Sequence, residues 1–248
     1  MRRQISARES EELAAQRLLL AALSDDLALP LTQIKGGLEL VGRSRGLSKN
    51  SQKQLTNMGL VANDGLQLID AYRLVLRSHE AESLQLEPVA IGALLQDVAH
   101  QLTPYAHQYD TALEIDIQGR LTPVLAHGPS LVAALQCLSA SLIRAQAAQS
   151  RQKNYRLILA AHRAADNVIT TGAFSNVQGL SDRTLRAARS LVGKARQPLP
   201  AVPAGAASGV LIADMLCSTM WQPLRAAAHN GMGGLATGVP VSKQLQFM

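Results

Sequence analysis

Aromatic residues are scarce in this chain of 248: one Trp, four Tyr and two Phe. Single-stranded nucleic acids are held largely by bases stacking on such rings, so the scarcity counts against that function. Cysteine is scarcer still. Cys137 and Cys217 stand alone, which excludes a disulfide scaffold and a cysteine-built zinc site and suits a reducing compartment. Near the start, the longest purely apolar run is Leu18–Leu23, too short for a bilayer span or a typical signal core. The expectation is a cytoplasmic chain with no membrane contact. P-loop, G-x-S-x-G and H-E-x-x-H motifs are all absent. The histidines, at 79, 100, 107, 127, 162 and 229, include no pair four apart on which a metal would sit.

What is present is an apolar chain (47%) with a net charge of +6, long enough to bury a large core in one domain or two. The charge is uneven. Residues 80–116 sum to −7 without a single Lys or Arg, and residues 144–196 sum to +8. The plain reading is two solvated faces; the sharper one is a basic face for an acidic partner. Arg183, Arg186 and Arg189 are spaced by three, which puts them side by side on a helix.

The first eighty residues read as a helical hairpin. Leu13, Leu20, Leu23, Leu27, Leu31, Ile34, Leu38 and Val41 recur at three, four or seven and form one apolar stripe. Ser6 and Glu9 have the spacing of a capping box. Gly42–Asn50 has the composition of a turn, and a second stripe runs through Leu55, Met58, Ala62, Leu66, Ile69, Tyr72, Val75 and Leu76. Two long helices with a short connection lie antiparallel, and two stripes of this length need more cover than two helices supply. A homodimer forming a four-helix bundle is the economical solution, with Leu23, Leu27, Leu31, Ile34 and Leu38 as its dimer or partner surface. Pro30 sits inside the first helix and loosens the turn carrying Asp25 and Asp26.

Ser24-Asp25-Asp26-Leu27-Ala28-Leu29-Pro30-Leu31-Thr32-Gln33-Ile34-Lys35-Gly36 resembles the H-box of bacterial sensor histidine kinases, S-H-E-L-R-T-P-L-x-x-I-x-G. Asp25 stands at the phosphoacceptor histidine, and Asp26 at the acidic position. The likeness continues beyond the hairpin. Leu84–Val89 followed by Leu94, Leu95, Val98, Leu102 and Ala106 is similar to the entry into the family's GHKL-type ATP-binding domain. Val124–Leu131 resembles the strand and turn before its nucleotide helix, with His127 at a common Asp position. The resemblance implies an α+β protein: a helical hairpin over residues 1–80, then an ATPase-like α/β sandwich over 81–248.

The nucleotide motifs are altered. Leu131–Arg144 fits the spacing of the N-box, L-x-x-x-L-x-N-L-x-x-N-A-x-K, with Cys137 and Ser141 in the asparagine positions. The second asparagine helps hold Mg²⁺ in the family, and a serine hydroxyl is a poor replacement for an amide carbonyl on a hard cation. The D-x-G-x-G motif is matched to Thr170-Thr171-Gly172-Ala173-Phe174 after a strand ending near Ile169, keeping only Gly172. Gly205–Ala213, including Gly209, resembles the glycine-rich lid, and Val210–Met220 the helix after it. Gly231, Gly233 and Gly234 resemble the His-Gly-Gly turn, and Val241–Phe247 the last strand.

Phosphoryl transfer is mostly positioning and charge neutralisation, so altering acceptor, metal ligand and adenine contact together removes most of what the protein contributes. The resulting expectation is a degenerate, dimeric pseudokinase without cofactor or metal. The resemblance implies a response regulator, a histidine kinase or a phosphotransfer protein as partner. Asp25 is the phosphoacceptor-equivalent position, and Cys137, Ser141, Thr170, Gly172 and Gly209 are degenerate ATP-site positions. A divergent but active kinase or phosphatase is the alternative, and a nucleic-acid-binding regulator using residues 144–196 is a less favoured third reading.

Overall fold

A computed structural model describes residues 24, 26–44, 46–80, 84–149, 155–164, 167–189, 207–220 and 222–242. The chain divides into two compact units, Met1–Glu80 and Ala81–Met248.

In the first unit, helix α1 covers 26–42 and α2 covers Lys49–Glu80. α1 runs through Pro30 without a break, and Thr32 Oγ1 donates to the Ala28 carbonyl at 2.8 Å. The connection is shorter than the turn composition suggests. Ser48 Oγ accepts the Ser51 N–H at 3.0 Å, capping α2, so Lys49 and Asn50 are already helical. Leu31 packs on Gly65, where an added Cβ would lie 3.1 Å from its Cδ1, and Lys35 Nζ donates to Asn63 Oδ1 at 3.0 Å. These contacts step in opposite directions along the two helices, as an antiparallel hairpin requires. The part of the first stripe before residue 24, including Leu23, and Asp25 itself lie outside the described residues.

The stripe divides on inspection. Leu31 and Leu38 are half-buried against α2, whereas Leu27, Ile34 and Val41, each seven apart, are 56%, 49% and 48% exposed. Met58 and Val61 on α2 are also exposed.

The second unit begins with β1 (Glu87–Val89), α3 (Ile91–Gln108), β2 (Thr111–Gln118) and β3 (Val124–Ala126). α4 (Gly128–Gln149), β4 (Tyr155–Arg163), β5 (Val168–Ser175) and α5 (Asp182–Arg189) follow. α6 (Ala207–Thr219), β6 (Arg225–His229) and β7 (Met232–Pro240) complete it. β1 pairs with β3, and the main sheet has the order β2-β4-β5-β7-β6, with β2–β4 parallel and the other pairs antiparallel. α3 and α4 pack on the sheet, and α6 runs along α4. α4 is long and apolar enough to cross a membrane by length and composition, but 67% of its apolar window is buried inside this unit, as befits a core helix. α3 tolerates Pro104 in its interior; the preceding Thr103 hydroxyl donates to the Ala99 carbonyl at 2.7 Å.

Successive strand residues face opposite sides, yet Leu157 through Ala161 of β4 are all buried. The sheet is therefore covered on both faces. On one side Ile158, Ala160, Phe174, Met232 and Ala236 form a small second core. The sheet closes over it by curling. β2 and β6 are opposite edges, but His229 Nε2 lies 2.8 Å from Asp116 Oδ2, and Asn230 Nδ2 donates to the same oxygen at 2.9 Å. Glycine permits the tight approach of β5 and β7. A Cβ on Gly172 would strike the Leu235 carbonyl, and one on Gly234 the Ala173 carbonyl.

One expectation for the chain's end is corrected. Gly231 belongs to the β6–β7 hairpin, where Asn230 (φ 48°) and Gly231 (φ 77°) form a two-residue turn of positive φ, and Gly233 and Gly234 lie inside β7. Of the expected strand Val241–Phe247, Val241 forms a bridge to Val124 and its N–H donates to the Asn167 carbonyl at 2.8 Å, while residues 243–247 lie outside the described residues.

Candidate functional site

The positions matching the nucleotide helix lie on α4. His127 precedes it, and its Nδ1 accepts the Ser130 N–H at 3.3 Å and contacts Ser130 Oγ at 2.7 Å, so this side chain caps the helix. Cys137 and Ser141, one turn apart, are both buried. Directly above them is Gly209, near the start of α6. A Cβ there would collide with Ser141 Oγ and come within 2.6 Å of the Cys137 carbonyl. The helices thus meet backbone to side chain at the place where the family's metal ligand stands. Ser141 Oγ is further engaged by Arg144 Nη2 at 3.1 Å, whose Nη1 donates to Tyr105 Oη at 3.1 Å.

Thr170 and Gly172 lie elsewhere than expected. β5 does not end near Ile169 but continues to Ser175, because residues 171–175 remain buried against β4 and β7 on both sides. Thr170 therefore pairs with His162 and Gly238, and Gly172 with Ala160 and Ala236, all within the ladder. The turn after the strand starts five residues beyond Thr170. There Ser175-Asn176-Val177-Gln178-Gly179 repeats the D-x-G-x-G spacing with Ser175 at the carboxylate and Val177 at the first glycine. Gly179 keeps the second glycine and adopts φ 89°, a conformation that favours it. Ser175 is fully buried, and its Oγ accepts the Val177 N–H at 3.3 Å. Gln149, at the end of α4, fastens this turn: Nε2 donates to the Gln178 carbonyl at 3.3 Å, and Oε1 accepts the Gln178 N–H at 3.2 Å.

These positions lack the groups that the resemblance implies for Mg–ATP. The residue at the adenine-binding carboxylate is a buried serine bonded to its own turn, and the residue at the Mg²⁺ amide is a hydroxyl enclosed by Gly209 and Arg144. Mg²⁺ demands oxygen ligands in near-octahedral array and open positions for phosphate and water. Among the described residues, no group of three His, Cys, Asp or Glu side chains is placed to hold a metal ion.

Close by, α5 is fastened to α6. Arg189 Nε and Nη2 each lie 2.7 Å from a different oxygen of Asp214, Nη2 also donates to the Leu224 carbonyl at 2.6 Å, and the Leu224 N–H donates to Asp214 Oδ1 at 3.0 Å. The neighbouring carboxylate holds the Arg189 guanidinium still more firmly protonated than usual. The buried Cys217 thiol is pushed up to about 12, by burial first and then by the charge of Asp214. It is inert as a nucleophile at neutral pH.

No family model matches the chain, and no curated protein matches it in sequence. Solved structures do match. Full-length ShkA in complex with AMPPNP aligns with a TM-score of 0.57 at 20% identity, over 90% of this chain and 46% of that one. The histidine kinase ThkA in complex with the response regulator protein TrrA aligns at 0.55 and 10% identity, over 97% and 66%. The chain has the histidine kinase fold. The histidine kinase AdeS of Acinetobacter baumannii agrees, at TM-score 0.50 and 14% identity, over 88% of this chain and 98% of that one. The chain spans about half the length of ShkA.

The hairpin of this fold holds a cavity of about 390 Å³ between its two helices, lined by Lys35, Leu38, Glu39, Gly42, Gln52, Leu55, Thr56, Gly59, Leu60 and Asn63. It is a different strip of α1 from Leu27, Ile34 and Val41, since residues 35, 38, 39 and 42 follow one another at three, four and seven around the helix.

Proposed function

We propose that this histidine-kinase-like chain is a pseudokinase: a dimeric signalling or phosphotransfer protein that engages a response regulator, a histidine kinase or a phosphotransfer partner through its hairpin, without ordinary ATP-dependent autophosphorylation. The observation that carries this reading is the enclosure of Ser141 beneath Gly209 and Arg144, at the position of the family's metal ligand. Catalysis of phosphoryl transfer needs the metal and the phosphates held in line, and an enclosed hydroxyl supplies neither. Asp25 and Asp26 in place of the histidine and its acidic neighbour agree with it. The exposed Leu27, Ile34 and Val41 suit a second copy of the hairpin, and the cavity on the neighbouring strip leaves a second surface for a partner. That the solved structure of ThkA includes the response regulator TrrA supports a partner of this kind.

The test is incubation of the full chain with γ-labelled Mg–ATP. No label above that of an Asp25→Asn variant is expected. Stoichiometric label that Asp25→Asn abolishes would overturn the reading in favour of an active, divergent kinase.

A further inference from the structure

The latched helix α5 has a use that the enclosed nucleotide positions do not explain. Its eight residues are tied down at both ends. Ser181 Oγ accepts the Thr184 N–H at 3.2 Å, and Asp182 Oδ1 accepts the Ala226 N–H of edge strand β6 at 2.8 Å. Leu185 is buried beneath the helix, and Arg189 is fixed at its end to Asp214 and the Leu224 carbonyl. Arg183 and Arg186 remain exposed, and so does Arg225, adjacent in β6 to the amide that Asp182 holds. Among the described residues, the side chains of Arg183 and Arg225 make no hydrogen bond or ion pair, and the Arg186 side chain donates only to the Asp182 carbonyl at 3.3 Å.

The carboxylates of this corner are already committed. Asp214 is spent on Arg189, and Asp182 on a backbone amide. Three guanidinium groups therefore face outward against one partly engaged carboxylate, on a scaffold that loses little freedom when a partner binds. Guanidinium forks match carboxylates in paired hydrogen bonds. α5 and β6 contain no aromatic ring apart from the buried His229, so bases have nothing here to stack on.

We infer that the α5–β6 corner, through Arg183, Arg186 and Arg225, is a preformed docking surface for a carboxylate-rich face of a protein partner. The inference is independent of whether the chain binds nucleotide. It is tested by fluorescence anisotropy with the full chain, using labelled poly-L-glutamate and a labelled DNA duplex as probes. The wild type is expected to bind poly-L-glutamate with an affinity that falls as salt rises. Arg183→Glu with Arg186→Glu should weaken it by about tenfold or more, against less than about twofold for the charge-matched Lys53→Glu with Arg77→Glu on α2. Arg189→Met, which keeps the exposed arginines and removes the latch, should weaken binding by an intermediate amount. Equal losses from the two charge-reversed pairs, or no binding at all, would overturn the inference. Tighter, equally α5-dependent binding of the duplex would overturn it in favour of a nucleic-acid surface.

Discussion

The hairpin and the α/β unit treat their apolar residues in opposite ways. In the α/β unit, Leu131, Leu142, Leu157, Leu159 and Ala173 are completely buried, and a small second core lies on the other face of the sheet. In the hairpin, Leu27, Leu29, Leu40, Val41, Met58 and Val61 are about half exposed or more. One unit completes its core alone. The other carries a stripe that still has apolar surface to remove from water, at about 25 cal/mol per Å². The first buries its apolar side chains within itself; the second leaves a stripe of them exposed.

The contrast is broken most severely by removing the carboxylate that joins α5, α6 and the start of β6. Asp214→Ala should destabilise the α/β unit by about 2–3 kcal/mol, since it leaves the buried Leu224 amide unsatisfied and removes the partner of a part-exposed guanidinium. Denaturant unfolding followed by circular dichroism checks this. Gly209→Ala comes next. Its methyl must push α6 off Ser141 and the Cys137 carbonyl, at about 1–3 kcal/mol. An unchanged midpoint would mean that α6 does not lie against α4 as described. On the other side of the comparison, Leu27→Asp should leave the unfolding of the α/β unit unchanged and halve the mass measured by light scattering, because it puts a charge in an apolar seam.

The smallest effect is at the sheet's clasp. The hydrogen bond from His229, aided by Asn230 and Gln118, holds the Asp116 carboxyl below the usual carboxylate range. A depressed carboxylate contributes stability that is present above its unfolded value near 4 and lost as pH falls through its folded value. Asp116→Asn should therefore lower the melting temperature slightly at neutral pH, where that contribution is present, and leave it little changed in acid, so that the two profiles converge below about pH 4.

Much of this was legible from local pattern. The hairpin follows from apolar spacing of three and four, and the strand-helix order of the α/β unit from residues 84 to 144, because those signals are written within single turns and strands. The D-x-G-x-G spacing is less legible, because β5 runs on to Ser175. Gly172 drew attention as a surviving glycine, although its role is to let β7 approach. The turn that follows β5 keeps the spacing but has Ser175 and Val177 at the carboxylate and first-glycine positions, so Gly179 is its one remaining signal. The end of the chain held a plainer cue. Asn230-Gly231 is a strong two-residue hairpin signal, and it marks the start of β7 at Met232. The Arg189–Asp214 latch and the Asp116–His229 clasp join residues 25 and 113 apart, and only tertiary packing reveals them.

The α/β unit has the fold of a histidine kinase, and we propose that its own side chains and backbone occupy the positions of the nucleotide and its metal. Calorimetric titration of the full chain with Mg–ATP decides this. No saturable heat is expected up to millimolar nucleotide; a single-site isotherm with a micromolar Kd would refute it.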